Sequence, residues 1–243
     1  VENQPGANGA LASRAFLRRR PDGSALLLGT SSTLALSAAA GKLELDPSTA
    51  FAPVSLLAET ANALAVAAAS PWRTLADYLA AARTRETSYA SFGPGSSGHL
   101  YGLLLQEETG ARLVHVPYKG SSPALNDLVG GHVDSAFLTT SAVETVERDG
   151  RVRVLAVTGT RRSPNLPSVA TFQEQGVRAL DFNGWFGLFA PKDTPGAIVE
   201  ALAAALGGLA RRPAFATRMR EQGYLWVGSD AARMDEEMRR SLA

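Results

Sequence analysis

The residues with chemistry to offer sit in short turns rich in glycine and hydroxyls. Between Ser91 and Leu100 the chain reads S-F-G-P-G-S-S-G-H-L, and Gly93, Gly95 and Gly98 fit the spacing G-x-G-x-x-G. Such glycines let backbone N–H groups approach a phosphate closely, and a helix starting just after them favours negative charge. A dinucleotide turn also needs an acid about 20 residues on to hold a ribose. Here the next strand ends Val116-Pro117-Tyr118-Lys119-Gly120, without that acid, and Pro94 stands inside the turn. The nucleotide reading loses its confirming context. What survives is a generic anion site, equally suited to a carboxylate, with Ser96 and Ser97 adding hydroxyl donors. Against it stands plain capping of the helix by either serine.

Two further turns repeat the theme. After a strand ending near Pro117, Tyr118 offers a ring and a hydroxyl and Lys119 a charge. The alternative there is a packed tyrosine and a surface lysine. Thr30-Ser31-Ser32-Thr33 follows another strand and either binds an oxyanion or makes a polar turn. No base or nucleophile accompanies these donors. Gly95 and Ser97 begin G-x-S-x-G, but His99 stands where its second glycine belongs. The three histidines give neither HExxH nor any metal-ligand spacing, and no G-x-x-x-x-G-K-[ST] occurs. Ligand-holding turns without chemistry favour a binder over an enzyme, with no cofactor or metal expected.

The elements that must position these turns alternate. The spacing predicts strands at Ala25–Gly29, Ala63–Ala69, Thr87–Ser91, Leu113–Pro117, Val133–Leu138, Val152–Thr158 and Leu188–Pro191, with Val1–Asn3 as a strand's tail. Helices are expected at Ala10–Arg20, Thr74–Arg83, Ser97–Glu108, from Ser121 or Ser122 to Gly130, and over Pro195–Leu209, Pro213–Gln222 and Ser229–Leu242. Near-continuous apolar strands joined by short connections argue an α/β fold with parallel sheets covered on both faces. Across 243 residues a net charge of +1 excludes a strong pull on nucleic acid or membrane surface, and zero cysteine excludes disulfides and thiolate chemistry. No apolar run reaches the roughly 18 residues of a membrane helix.

Several motifs in order resemble the Bug family, the periplasmic solute receptors of tripartite tricarboxylate transporters. They are V-E-N-Q-P-G-A-N-G (Val1–Gly9), Leu27–Thr30, F-A-P-V-S-L-L (Phe51–Leu57) and, most specific, H-V-P-Y-K-G-S-S-P-A-L-N-D-L-V-G-G-H-V-D (His115–Asp134). V-L-A-V-T (Val154–Thr158), R-S-P-N-L-P-S-V (Arg162–Val169) and W-F-G-L-F-A-P (Trp185–Pro191) follow. The resemblance implies a two-lobed type II periplasmic binding protein fold, with mostly parallel sheets and flanking helices. Residues 1–91 and 189–243 would form lobe 1 and 92–188 lobe 2, with crossovers near Ser91 and Trp185–Leu188. It implies a small carboxylate or related organic anion in an interlobe cleft, membrane transporter subunits as partners, and a monomer. The cleft residues it implies are Gly6, Ala7, Thr30, Ser31, Ser91, Gly93, Gly95, Ser96, Ser97, His99, Tyr118, Lys119 and Gly120. Leu138-Thr139-Thr140 would enter from the second lobe, with Thr139 where the family often has an Asp-Asn-type pair, which disfavours an amino-acid ligand. The family's opening strand–helix unit and secretion signal precede V-E-N, so lobe 1 is expected to be incomplete. The alternatives are an α/β enzyme acting on a small carboxylate with His99 or Lys119 as acid/base, and a non-binding truncated remnant.

Overall fold

The computed structural model describes residues 1–4, 9–39, 41 and 43–242. The chain divides into two compact units. The first comprises Val1–Glu59, Gly184–Met219 and Leu225–Ala243, and the second Thr60–Asn183 with Arg220–Tyr224. The main breaks fall at Glu59/Thr60, well before the expected Ser91, and at Asn183/Gly184, beside the expected Trp185–Leu188. Strand β2 (Phe51–Thr60) runs into β3 (Asn62–Ala67) with only Ala61 between them. No glycine turn marks that change of sheet, whereas the conspicuous glycines after Ser91 sit inside the second unit.

The second unit carries the sheet that matters for the site. Its order is β5 (Leu113–Pro117), β4 (Thr87–Ser91), β6 (Ser135–Thr139), β3, β7 (Val152–Val157). β4 is parallel to both β5 and β6, and β3 is antiparallel to both β6 and β7. Four strands thus point one way with one inserted against them. Side chains alternate between the faces of such a sheet. One face packs Leu64, Tyr89 and Phe137 with Leu75, Tyr78, Tyr101 and Leu105; the other packs Ala65, Ala90, Ala136 and Leu138 with Leu128 and Val143.

The helices follow from local chemistry. α4 (Leu75–Thr84) begins at Thr74, whose hydroxyl takes the Asp77 N–H while the Asp77 carboxylate takes that of Thr74. Its buried stripe is Leu75, Tyr78, Leu79 and Ala82, as the period of the sequence predicts. α5 (Ser97–Thr109) lays Gly98, Tyr101, Gly102 and Leu105 on the sheet. A Cβ on Gly102 would come 2.2 Å from the Tyr89 ring, so the helix approaches that closely only with glycine there. α6 (Ser121–Val129) is capped by Gly120 with no side-chain bond, rather than by Ser121 or Ser122. α7 (Thr140–Arg148) follows β6 directly.

In the first unit the sheet runs β1 (Leu27–Thr30), β8 (Gly184–Pro191), β2, β9 (Leu225–Trp226). β1 and β9 are antiparallel to their partners β8 and β2, so the expectation of mostly parallel strands is met in the second unit. Residues 1–4 carry no strand, and α1 spans only Ala10–Phe16. Phe51, Leu56, Trp185 and Phe189 form this unit's core with Met234 and Met238 of α10 (Ala231–Leu242).

Candidate functional site

Three neighbouring parallel strands of the second unit, β5, β4 and β6, end at one sheet edge, and each feeds a helix: α6, α5 and α7. The first N–H groups of a helix have no intrahelical carbonyl, and its N-terminal end carries a positive partial charge. None of the three has an acidic residue in its first turn. The edge therefore gathers positive potential and backbone donors without a carboxylate to cancel them.

The turn after β4 is self-supporting. Ser96 is the helix cap: its hydroxyl donates to the Gly93 carbonyl at 2.7 Å and accepts the His99 N–H at 3.3 Å. That hydroxyl is spent on capping the helix, and Ser97 is buried in the first helical turn. The N–H groups of Ser97 and Gly98 stand at the start of the helix, before its first intrahelical bonds. Gly93 (φ +130°) and Gly95 (φ +76°) take backbone conformations that other residues rarely adopt. Gly95 donates its N–H to His99 Nδ1 at 3.2 Å, which makes Nδ1 the acceptor and Nε2 the protonated nitrogen of that ring.

Ser91, fully buried, contacts His115 Nε2 at 2.7 Å and accepts the Gly93 N–H at 3.2 Å. The His115 and His99 rings stack with centroids 4.1 Å apart. Burial, reinforced by His99, lowers the His115 pKa to about 4, so this ring is neutral at physiological pH. A serine beside an imidazole has the form of a nucleophile and its base. This hydroxyl, enclosed on every side, has no access to an external substrate. His115 was not among the residues singled out from the sequence. Only the parallel register that sets His115 beside Tyr89 brings it to Ser91.

Tyr118 donates its N–H to the Ser91 carbonyl at 3.0 Å, extending the β4–β5 ladder by one bond. Its ring joins the apolar cluster, and its hydroxyl donates to Asp127 Oδ2 at 2.6 Å. Burial and that carboxylate push the phenol up to about 12. Tyr118 is therefore a packed tyrosine whose polar end is engaged. Lys119 is exposed, and Gly120 (φ +114°) has open space where a side chain would stand. Thr139 is the cap residue of α7, yet its hydroxyl makes no capping bond and instead meets Ser141 Oγ at 3.3 Å.

Thr30 and Ser31 belong to the first unit. The Thr30 hydroxyl takes the Thr33 N–H while the Thr33 hydroxyl takes that of Thr30, closing a reciprocal cap. Residues 31–36 form a π-helical turn, and Ser31 Oγ accepts the Trp185 N–H at 3.4 Å. Here too the hydroxyls serve the fold. Gly6 and Ala7 lie outside the described residues. Among the described residues no group of three His, Cys, Asp or Glu side chains is placed to hold a metal ion.

Residues 1–238 match the model of the tripartite tricarboxylate transporter family receptor. The chain belongs to that family. Its fold is that of the family's solute-binding receptors rather than of enzymes. The receptor is 33% identical over 234 residues to the UPF0065 protein in the TAR-I ttuE-ttuC' intergenic region of Agrobacterium vitis, covering 96% of this chain and 68% of that one. Among solved structures, MatC (Rpa3494) from Rhodopseudomonas palustris with bound malate is 29% identical, with a TM-score of 0.84 over 99% of this chain and 84% of its own. Rpa4515 from R. palustris with adipate is also 29% identical, with a TM-score of 0.83 over 99% of this chain and 82% of its own. The motif order that suggested the family thus extends to sequence and fold together.

Proposed function

We propose that this chain is an extracytoplasmic receptor that binds a small dicarboxylate and delivers it to membrane components of a tripartite transporter. The observation that carries the reading is the sheet edge where α5, α6 and α7 begin without a first-turn acid, in a chain akin to proteins solved with malate and adipate. One carboxylate of the ligand accepts the N–H groups of Ser97 and Gly98. The turns at Gly93–Gly95, Lys119–Gly120 and Thr139 surround it with further backbone donors, a lysine charge and a hydroxyl. What speaks for binding rather than covalent chemistry at this turn is the full burial of the Ser91 hydroxyl beside His115. No helix of the described residues is long and apolar enough to cross a membrane.

The test is a thermal melt with malate, adipate, succinate, citrate, glutamate, nicotinate and terephthalate, with NAD as control. A ligand at about 100 times its dissociation constant adds about 2.7 kcal/mol, which raises the midpoint of a chain this size by roughly 5–10 °C. A saturable shift with one or more dicarboxylates and none with NAD is expected. A shift with NAD alone, or turnover of the shifting compound, overturns the reading.

A further inference from the structure

The face of the second sheet that α5 covers carries a row of polar residues at the edge where β4 and β6 end. Ser91 on β4, Thr139 on β6, Asn62 on β3 and Thr158 just beyond β7 share that face by alternation with Tyr89, Phe137, Leu64 and Ala156. Asn62 is paired with Thr139 across the antiparallel ladder. Its backbone is fully engaged: the N–H donates to Thr158 Oγ1 at 2.9 Å, and its carbonyl accepts the Thr158 N–H at 2.8 Å. Its side chain is different. The residue is 1% exposed, and neither Oδ1 nor Nδ2 makes a well-formed hydrogen bond, although the side chain lies close enough to the Tyr101 hydroxyl to ease its ionisation. The groups beside it are polar. Thr158 Oγ1 donates to Asn183 Oδ1 at 3.0 Å, and the buried Tyr101 hydroxyl reaches the Phe182 carbonyl at 3.4 Å. Burial pushes that hydroxyl's ionisation up, while Thr158 and Asn62 beside it pull it back.

Burying an amide whose hydrogen bonds are poorly formed costs stability that an apolar residue of similar shape would restore. A strand start buried to this degree is a natural place for valine. The polar choice needs a reason other than stability, and the neighbour it bears on is α5. Tyr101 lies one helical turn below the Ser97 and Gly98 N–H groups. A Cβ on Gly98 would already come 3.0 Å from the Phe137 carbonyl and 3.2 Å from Ser91 Cβ. The height of the helix start is therefore set by what lies under it.

We propose that Asn62 is a positioning residue for the ligand-holding turn: with Thr158 and Tyr101 it forms a polar seat that fixes where the first turn of α5 stands over the sheet edge. This rests on the receptor reading for its effect on affinity, though not for its effect on the helix. The experiment compares Asn62→Val with Asn62→Thr, an isosteric pair differing by a methyl against a hydroxyl. It reads the melting midpoint, affinity for malate and adipate, and amide hydrogen exchange at His99–Gly102.

The expected result is that Asn62→Val melts at or above the wild-type midpoint, weakens binding about tenfold, and speeds exchange at the start of α5. Asn62→Thr keeps most of the affinity and the protection. Wild-type affinity and exchange in Asn62→Val overturn the proposal, as does an equal loss in both variants together with a lowered midpoint, which marks a merely structural role. If the wild-type protein binds neither acid, the receptor reading fails, and exchange at α5 alone decides the role of Asn62.

Discussion

Gly98 shows how a single residue without a side chain sets where a helix begins, here at the turn proposed to hold the ligand. It is the second residue of α5, and its position brings the helix start against the Phe137 carbonyl and Ser91 Cβ. Both neighbours are fixed, one as strand backbone and the other as a fully buried side chain, so neither can yield. Gly98→Ala is therefore expected to lift the first turn away from the sheet edge. Overpacking of this kind costs about 1–3 kcal/mol, and the displaced N–H groups lose the carboxylate as well. A melt should show the lowered midpoint and a titration with malate or adipate the lost affinity. A variant that melts and binds like wild type would mean that the turn tolerates a methyl there.

At the scale of elements, the turn after β4 is coupled to β5 through His115. In the unfolded chain this ring takes up a proton near its ordinary 6.5, whereas in the folded one it resists until about pH 4. Between those values the unfolded state binds more protons, so acid favours unfolding; above 6.5 the group contributes no pH dependence. The midpoint of the wild-type protein should therefore fall more steeply from pH 7 to pH 4.5 than that of His115→Asn. Parallel slopes would show that the ring is not held neutral. This coupling was not legible in the sequence, and the reason is physical. β4 and β5 were readable to the residue, because each is a short run bounded by turns. Their register was not, since it comes from tertiary pairing. The same holds for Asn62, Thr139 and Thr158, which meet only once β3 inserts between β6 and β7. β2 was hidden by Pro53 and Ser55, and α7 by the hydroxyl run Thr139-Thr140-Ser141, which reads as loop. The Thr30–Thr33 and Ser96–Ser97 hydroxyls were visible as donors, yet the folded chain spends Thr30, Thr33 and Ser96 on caps, their commoner use.

At the scale of the whole molecule, the two units are built unequally. The first is assembled from three separated stretches of chain, whereas the second is one continuous stretch, Thr60–Asn183, plus the short return Arg220–Tyr224. That continuous stretch holds all five strands of its sheet and both of the sheet's apolar clusters. It also holds every sequence-derived site residue from Ser91 to Thr139. The return segment contributes three contacts to it that can be named. Asn165 Nδ2 donates to the Arg220 carbonyl at 3.2 Å, the Thr60 hydroxyl reaches the Gly223 carbonyl at 3.4 Å, and Gly223 packs against Ser141. Losing two such hydrogen bonds costs about 1–3 kcal/mol, less than the stability of an ordinary domain of this size. Residues Thr60–Asn183 expressed alone are therefore expected to fold, with a cooperative melt and a near-ultraviolet circular dichroism signal from the buried Tyr78, Tyr89 and Tyr101. The fragment should also retain the His115-linked loss of stability in acid, because Ser91, His99 and His115 all lie within it. A fragment that melts without cooperativity would show that the Arg220–Tyr224 return is required to close this sheet.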